Sequence, residues 1–468
     1  MPKPYPYQEL AIDWLAQRPT AIVALEMGLG KTGVSILAAD QVGAIKILVI
    51  CPAVAITNWK REFQMWQTRP RTVGGIYKTK DRPGTDVVIV NYDKLSRGSV
   101  ADLLDQDWDL VIFDEGHYLK SNKAKRVQVC YGNLYGPIGH PRRGGIISRA
   151  KRAWVLTATP LPNHAGEIWT HIRALRPELL PKGPTGYPLN WHQFTARYCD
   201  CRETQFGVQI VGNNTAKLPE LRDMLKSWVL KVRKVDVLPD LPPIRFVTTT
   251  IEAGEIDAEL KRLEDHPDIT ELNRTLEAAR AAIELREGAP DREERQDLLE
   301  AFANRPGHIA TLRRMTSLVK VDPAIELLKS ELESGALNKV IVFAVHREAV
   351  DRLADGLMEF GAVKLYGGTS PRDRQEAIDG FQNNPGTRVF CGQIQACGTA
   401  INLTAASDVV FVESSWVPSD NSQAASRAHR IGTKSAVLVR FLALAGSVDE
   451  LVQDALARKT AAISQIFQ

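Results

Sequence analysis

The stretch AIVALEMGLGKTGVSILAA, residues 21–39, decides the fold of the first part of the chain. An apolar run of strand length, Ala21–Leu25, is followed by a glycine-rich turn and then by an apolar helical stretch, Val34–Ala39. Glycines let backbone N–H groups curl around an anion, and the helix N-terminus adds a partial positive charge. The stretch therefore predicts a phosphate-binding loop between a strand and a helix.

The side chains of this turn suit a nucleotide bound with Mg²⁺. Lys31 would reach the β and γ phosphates of ATP, and the Thr32 hydroxyl would bind the metal. The strict phosphate-loop pattern requires glycine at position 25, where this chain has Leu25. The expected nucleotide-binding residues of the turn are Met27, Gly28, Leu29, Gly30, Lys31 and Thr32.

A second element, LVIFDEGH at residues 110–117, is a buried-strand pattern that ends in two carboxylates. In doubly wound parallel sheets, ligands bind at the carboxyl ends of the strands. We therefore expect Asp114 to hold Mg²⁺ and Glu115 to polarise the attacking water. An Asp-Glu pair after a strand is by itself often a solvated loop, but its combination with the glycine-rich turn favours the catalytic interpretation.

Apolar runs of strand length alternate with amphipathic helical patterns in two separate parts of the chain, which is typical of parallel sheets covered by helices. The runs are Ile45–Cys51, Val87–Val90, Leu110–Phe113, Trp154–Leu156, Val340–Phe343, Arg388–Cys391, Val409–Glu413 and Val437–Leu442. The predicted fold class is therefore α/β, with two parallel-sheet lobes and helical insertions between them.

The residues between the two sets of strands read as helical insertions without strand runs. We predict a first lobe over residues 1–160, a helical insertion and return to the first lobe over 161–250, a second helical insertion over 251–318, and a second lobe over 319–468. Asp322-Pro323 resembles a helix N-cap followed by proline at the first helical position, so we place the start of the second lobe there.

Composition narrows the function classes. The chain has 468 residues, with 59 Lys+Arg against 55 Asp+Glu, so any basic surface for nucleic acid must be local. Its 6 cysteines include no CxxC pair, which predicts reduced thiols rather than a metal site. No apolar run approaches the roughly 18 residues of a membrane span. We expect a soluble, cytoplasmic protein with no membrane partner.

Ten sequence elements in order resemble one known family, the Swi/Snf type of superfamily-two helicase-like ATPases. They are Tyr7-Gln8, Glu26–Thr32, Cys51-Pro52 with Asn58-Trp59, Asn91-Tyr92, Asp114–His117, Leu156–Asn163, Val342–Ala344, Tyr366–Thr369, Gly398–Ala406 and Gln423–Gly432. Within the family the chain is most similar to the annealing-helicase (HARP-like) branch, motor core only. That likeness rests on Asp114–Lys120, Arg197–Asp200 and Arg233–Leu238 followed by Leu241-Pro242.

The resemblance implies two RecA-like lobes that bind ATP and Mg²⁺ in the cleft between them, with duplex DNA lying across both. It implies that Gln8 reads the adenine edge and that Gln423 orients the water or the γ phosphate. Arg427 and Arg430 would approach the γ phosphate only when the lobes close, so closure would gate hydrolysis. Two positions depart from the family: Gly116 stands where Ala or Ser is usual, and Ala400 where Gly is usual.

Further residues are assigned to coupling and to DNA. His117, Thr157 and Thr159 resemble the elements that couple nucleotide state to DNA grip, although a histidine after a carboxylate pair can instead satisfy a buried hydrogen bond. The candidate DNA contacts by motif are Asn58, Trp59, Asn91, Tyr92, Thr369 and Thr404, and Trp59 is equally consistent with a core position. Arg142 and Arg143 belong to the densest basic cluster, which is either a DNA-following loop or a solvated one.

These residues predict a DNA-dependent ATPase that translocates on duplex or forked DNA without sequence preference, and that remodels or reanneals it. Because phosphate contacts carry no base information, the expected affinity is salt-dependent. Two alternatives stay open: a strand-separating DNA or RNA helicase, and a nucleotide-binding scaffold that has lost hydrolysis. We expect a monomer, associated with the nucleoid if its host is prokaryotic or viral.

Overall fold

The computed structural model describes residues 2–98, 100–135, 144–158, 164–184, 186–204, 207–251, 306–397, 401–415, 418–430, 433, 435–445 and 453. Contacts divide the chain into two compact units, Met1–Leu241 and Pro242–Gln468. Each unit contains its own parallel sheet. The predicted α/β class with two parallel-sheet lobes is confirmed.

The first unit is built on a seven-stranded sheet in the order β3-β4-β2-β5-β6-β1-β9, with a separate antiparallel hairpin, β7-β8. The strands are β1 Thr20–Leu25, β2 Ile47–Cys51, β3 Val73–Gly75, β4 Val87–Asn91, β5 Leu110–Asp114, β6 Ala153–Leu156, β7 Cys199–Thr204, β8 Gly207–Asn213 and β9 Val229–Val232. The helices are α1 Pro6–Ala16, α2 Lys31–Gln41, α3 Ile56–Trp66, α4 Tyr92–Ser96, α5 Lys125–Tyr131, α6 Trp169–Leu175, α7 Trp191–Tyr198, α8 Leu218–Leu225 and α9 Lys234–Val237.

The central strands of this sheet are apolar along their whole length because both faces of the sheet are covered. Strands β2 and β4 are buried at every position. A strand packed on both faces needs a continuous apolar run rather than the alternating pattern of a half-exposed strand. This is why these strands were visible in the sequence.

Strand register brings three loops to one edge of the first sheet. Strand β6 pairs in parallel with β5 on one side, Leu156 opposite Asp114, and with β1 on the other, Leu156 opposite Val23. Since parallel strands end at the same edge, the turn after Leu25 lies beside Asp114 and the residues that follow Leu156. The fold thus assembles one site from distant parts of the sequence.

The second unit has a six-stranded parallel sheet in the order β10-β15-β14-β11-β13-β12. Its strands are β10 Ile244–Ile251, β11 Val340–Ala344, β12 Val363–Leu365, β13 Val389–Gln393, β14 Asp408–Phe411 and β15 Val437–Leu444. Its helices are α10 Pro306–Glu333, α11 Arg347–Gly356, α12 Pro371–Asn383, α13 Ile394–Cys397 and α14 Pro418–Ala425.

The unit boundary differs from the predicted one. Residues 161–250 were expected to form a helical insertion and return to the first lobe. The first unit extends to Leu241, and β9 rejoins its sheet by pairing with β1. Strand β10 instead pairs with β15 at the edge of the second sheet, from Ile244 opposite Val437 to Ile251 opposite Leu444. Strand β10 has partly exposed polar positions and so lacks the continuous apolar run of a central strand. The hairpin β7-β8 was not predicted for the same reason.

The predicted helix start at Asp322-Pro323 is wrong, because Pro323 lies inside α10. A proline removes one intrahelical donor and normally ends a helix. Here Val321, Ala324 and Leu328 on either side of Pro323 are buried in one hydrophobic cluster, so packing continues across the proline. Most of the predicted second insertion, residues 252–305, lies outside the described residues.

None of the helices in the described part of the chain combines the length and hydropathy needed to cross a bilayer. The six cysteines are free thiols; five are buried and Cys201 is exposed.

Candidate ATP-binding site

The phosphate loop has a backbone that requires glycine. Gly28 and Gly30 have φ angles of 86° and 79°, in the left-handed region that glycine adopts without a Cβ penalty. Gly30 caps α2, whose first residue is Lys31. The Lys31 ammonium donates a hydrogen bond to the Leu25 carbonyl at 2.8 Å. Leu25 itself is fully buried at the end of β1, so the position where the strict pattern has glycine belongs here to the core.

Helix α1 packs directly against this loop. The Gln8 amide nitrogen and the Tyr7 hydroxyl both donate to the Leu29 carbonyl, at 3.1 Å and 3.2 Å. The Gln8 amide oxygen accepts from the Tyr5 N–H at 2.9 Å. A Cβ at Gly30 would lie 2.4 Å from the Gln8 nitrogen, so only glycine allows this approach. Gln8 therefore holds the loop, and its contact with adenine stays a prediction.

Glu26 ties the loop to the last strand of the sheet. Its N–H donates to the Val232 carbonyl at 2.9 Å, and its carboxylate accepts from the Lys234 N–H at 2.7 Å. No separate role was predicted for Glu26 from the sequence. The Arg233–Leu238 motif marked the importance of the segment that contains Lys234. It could not predict the hydrogen bond from Lys234 to Glu26, because the two residues are far apart in sequence.

Asp114 at the end of β5 is held by two hydrogen bonds. Its Oδ2 accepts from the Trp59 indole N–H at 2.8 Å, and its Oδ1 from the Glu115 N–H at 3.0 Å. Burial, followed by the neighbouring Glu115 carboxylate, raises the pKa of Asp114 to about 6, while Trp59 and the Lys31 cation act in the opposite direction. Lys31 and Glu115 are therefore close enough to Asp114 to influence its charge.

Glu115 sits in a strained turn. Its φ is 50° and its ψ 58°, and among the described residues the other positive φ angles belong to glycines. A non-glycine residue in this region costs of order 1–3 kcal/mol, and such strain clusters at functional sites. His117 Nδ1 lies 3.4 Å from Glu115 Oε2, so the predicted coupling histidine contacts the predicted water-polarising carboxylate.

Gly116 departs from the family pattern because there is no room for a side chain. A Cβ at this position would lie 2.2 Å from Cγ1 of Val155, a fully buried residue of β6. Thr157, two residues after Val155, is buried and its N–H donates to the Val23 carbonyl of β1 at 3.1 Å. Thr159 and Ala400 lie outside the described residues.

Of the candidate DNA residues that the structure describes in the first unit, Asn58 is partly exposed, and Trp59, Asn91 and Tyr92 are buried. Asn58 is half-buried on α3, whereas Asn91 is buried and caps α4 by accepting from the Lys94 N–H at 2.9 Å. Trp59 is 1% exposed and Tyr92 2% exposed, so both rings lie in the core. The Tyr92 hydroxyl donates to the Asp114 carbonyl at 2.8 Å. Arg142 and Arg143 lie outside the described residues.

The second unit carries the candidate arginines after α14. Gln423 is half-buried on that helix. Arg427 is buried, and its carbonyl accepts from the Leu403 N–H at 3.0 Å. Arg430 is half-buried, and its Nε donates to the Ser426 carbonyl at 3.3 Å. The two arginines therefore differ: Arg427 is part of the interior, whereas Arg430 retains solvent access.

The remaining candidates of the second unit are partly buried threonines that already accept hydrogen bonds. Thr369 accepts from the Tyr366 N–H at 3.1 Å, and Thr404 from the Gln382 amide at 3.3 Å. His429 was not predicted to have a role. Its Nε2 lies 2.7 Å from the Pro242 carbonyl, just before β10.

Known families match both units of the chain. The SNF2-related domain matches residues 7–275, and the Helicase conserved C-terminal domain matches residues 323–432. The chain belongs to the SNF2-related family. This membership confirms the predicted Swi/Snf resemblance.

Similar curated proteins are longer than this SNF2-related chain. It is 27% identical to the SWI/SNF-related matrix-associated actin-dependent regulator of chromatin subfamily A-like protein 1 of Xenopus tropicalis, over 98% of this chain and 44% of the relative. It is also 27% identical to human DNA annealing helicase and endonuclease ZRANB3, over 97% of this chain and 39% of the relative. The chain thus spans less than half of these relatives, and the expected likeness to the annealing-helicase branch is confirmed.

Among solved structures, the Sulfolobus solfataricus SWI2/SNF2 ATPase core in complex with dsDNA is similar, with 21% identity and a TM-score of 0.43 over 99% of this chain and 93% of that one.

The donor set of the SNF2-related site fits Mg²⁺ with a nucleotide phosphate. The Thr32 hydroxyl and the Asp114 carboxylate are hard oxygen ligands, which Mg²⁺ prefers together with phosphate oxygens and water. Each Asp114 oxygen accepts one hydrogen bond, and an ionised carboxylate has about four lone-pair positions, so capacity remains for a metal. The loop at Gly28 and Gly30 supplies the left-handed backbone of an anion-binding turn.

Proposed function

We propose that this chain is a DNA-dependent ATPase that translocates on duplex or forked DNA and remodels or reanneals it. The observation that carries the proposal is the meeting of Lys31, Asp114 and Glu115 at one edge of the first sheet, where Lys31 and Glu115 both influence the pKa of Asp114. A cation for phosphate, a carboxylate for metal and a carboxylate for water are the parts that phosphoryl transfer to water requires.

In this proposal each residue of the first unit has one task. Lys31 binds the β and γ phosphates, Thr32 and Asp114 hold the metal, and Glu115 orients and polarises the water. Mg²⁺, when bound, neutralises charge that develops on the phosphate oxygens. Glu115 begins from a strained, fixed backbone, so little reorganisation is needed at the moment of reaction.

Residues of the second unit complete the reaction in the proposal. Arg430, with its solvent access, meets the transferring phosphoryl group, and Gln423 orients the water or the γ phosphate. Arg427 supports this segment from the interior and adds positive charge. An arginine that neutralises transition-state charge contributes roughly 10³ or more to rate in related NTPases. Hydrolysis is then possible only in the closed state.

The DNA part of the proposal draws on the relatives, one of which is named a DNA annealing helicase. We propose Asn58, Asn91, Thr369 and Thr404 as phosphate contacts, which would give steep salt dependence without sequence preference. We also propose that the protein acts as a monomer in the cytoplasm, in association with DNA.

One assay separates this function from its two rivals. Phosphate release is measured with no DNA, with duplex, with forked and with single-stranded DNA, at two salt concentrations. We expect stimulation by duplex and forked DNA that falls steeply with salt. Stimulation by single strands alone, with ATP-driven opening of a tailed duplex, would support a strand-separating helicase. Absence of ATP turnover under every condition would support a scaffold.

Translocation is tested separately with a triplex. A motor that moves along an intact duplex should displace the third strand in an ATP-dependent reaction, while a blunt duplex stays paired. Glu115→Gln, which keeps the shape of the side chain but cannot accept a proton, is the control for both reactions.

A further inference from the structure

Two Asn-aromatic pairs follow neighbouring strands of the first sheet. Asn58-Trp59 lies on α3, which follows β2, and Asn91-Tyr92 lies at the junction of β4 and α4. The two strands pair in parallel, with Cys51 opposite Asn91. In each pair the asparagine is a proposed DNA contact and the aromatic ring is buried; Asn58 is half-buried, whereas Asn91 is itself buried as the cap of α4.

Both buried aromatic residues direct their polar atom to Asp114. The Trp59 indole N–H donates to the carboxylate at 2.8 Å, and the Tyr92 hydroxyl donates to the backbone carbonyl of the same residue at 2.8 Å. Each hydrogen bond fixes a different part of Asp114: one orients the side chain, and the other locates the end of β5. Buried polar atoms need a partner, but nothing requires two separate helices to use the same one.

Tyr92 also contacts the turn beyond the second carboxylate. Its ring stacks on Tyr118, with centroids 5.2 Å apart and planes 7° from parallel. Tyr118 lies in the turn Gly116–Leu119 that follows Glu115. Tyr92 is therefore in contact with residues on both sides of Glu115 in the sequence.

We propose that Trp59 and Tyr92 are positioning residues that orient Asp114 for Mg²⁺ and that pass the effect of DNA binding at Asn58 and Asn91 to this carboxylate. The inference rests on the proposed function and adds the physical link inside it. Because each asparagine is adjacent to its aromatic partner, an interaction at the asparagine that displaces the helix also displaces the donor to Asp114. Misplacement of a reacting group by about 1 Å can cost about 10²-fold in rate, so small displacements suffice.

The test uses substitutions that remove only the donor. Trp59→Phe deletes the indole N–H, and Tyr92→Phe deletes the hydroxyl, while both keep an aromatic ring. Trp154→Phe is the matched control, since Trp154 of β6 is as fully buried as Trp59 of α3 but its indole N–H donates to the Arg18 carbonyl at 3.0 Å. The full chain is used for all variants, and melting temperatures are compared with the control.

Two readouts are measured. The first is Mn²⁺ affinity by electron paramagnetic resonance in the presence of a non-hydrolysable ATP analogue. The second is the ratio of ATPase rates with and without duplex DNA. We expect Trp59→Phe to weaken Mn²⁺ binding about tenfold, the range of one hydrogen bond to a charged group. We expect both variants to reduce DNA stimulation while duplex affinity, measured by fluorescence anisotropy, stays unchanged.

Several outcomes would overturn the inference. If Trp59→Phe and Trp154→Phe have the same Mn²⁺ affinity and the same DNA stimulation, the hydrogen bond from Trp59 to Asp114 has only a packing role. If Trp59→Phe does not fold, Tyr92→Phe decides, and unchanged DNA stimulation there refutes the coupling. A wild-type chain with no DNA stimulation would refute the proposed function instead, while the Mn²⁺ measurement would still decide the positioning role.

Discussion

Adding one methyl group at Gly116 should displace the catalytic turn. In Gly116→Ala the new Cβ would lie 2.2 Å from Cγ1 of Val155, whereas ordinary carbon-carbon contacts are about 3.5–4.0 Å. One side must therefore move by more than about 1 Å. Val155 is fully buried in β6 between two paired strands, so the turn is the part that yields.

The structure sets the expected size of both effects. Overpacking of this kind costs about 1–3 kcal/mol of stability. Glu115 immediately precedes Gly116, and misplacement of a reacting group by about 1 Å costs about 10²-fold in rate. We therefore expect Gly116→Ala to lower kcat about 10²-fold with a modest loss of melting temperature.

A second substitution tests whether the clash with Val155 is the cause. Val155→Ala removes the clashing methyl group and leaves a small cavity, and the Gly116→Ala/Val155→Ala variant should fill part of that cavity. The kcat of the double variant should then be at least tenfold higher than that of Gly116→Ala. The effects of the two substitutions on kcat should therefore be strongly non-additive. Steady-state phosphate release and thermal melting measure both quantities. Wild-type kcat in Gly116→Ala, or a double variant no better than that single one, would refute this account.

Three further predictions concern other residues. Glu115→Gln should keep Mg·ATP binding, measured by calorimetry, and lose hydrolysis, and near-normal turnover would assign water activation elsewhere. Arg430→Ala should keep its nucleotide affinity and melting temperature while its turnover falls roughly 10³-fold. Arg427→Ala should lose turnover and also melt at a lower temperature, because Arg427 is buried. Equal melting temperatures of the two variants would contradict this difference. Burial, and to a smaller extent the neighbouring His117, lowers the pKa of His171 to about 4. His171 therefore binds a proton more readily in the unfolded chain than in the folded protein. Stability should fall as pH drops from about 6.5 towards 4, by about 3 kcal/mol at most, and His171→Gln should reduce that loss in melts recorded across this range.

Elements buried on both faces were predictable from the sequence, and those at sheet edges were not. Strands β2, β4 and β5 appear as continuous apolar runs because helices cover both faces. The edge strand β10 has partly exposed polar positions. It pairs with β15, which is far away in sequence, and no local sequence pattern specifies such a long-range pairing. The assignment of residues near 250 to the first lobe failed for this reason.

The chemistry of the site was predictable at the level of residue type but not of contact. Glycine, lysine and paired carboxylates at strand ends predict the nucleotide site from backbone geometry alone. Trp59 was expected to be either a DNA contact or a core residue, and Tyr92 a DNA contact, whereas the structure buries both rings. On α3, adjacent residues point in directions about 100° apart, so Asn58 is half-buried while Trp59 is buried.

The two units hold their proposed catalytic groups by different contacts, and this difference bears on the proposed gating of hydrolysis. In the first unit, Asp114 is fixed by donors from α3 and from the Glu115 backbone, and Gly116 allows no movement towards Val155. In the second unit, Arg430 is half-buried and its Nε bonds to a carbonyl one turn away on its own segment. In the proposed function, the first unit can therefore bind ATP without hydrolysing it until Arg430 takes part. Under this proposal, Arg430→Ala leaves the ATP site of the first unit intact and should separate binding from turnover, as Glu115→Gln should from within the first unit.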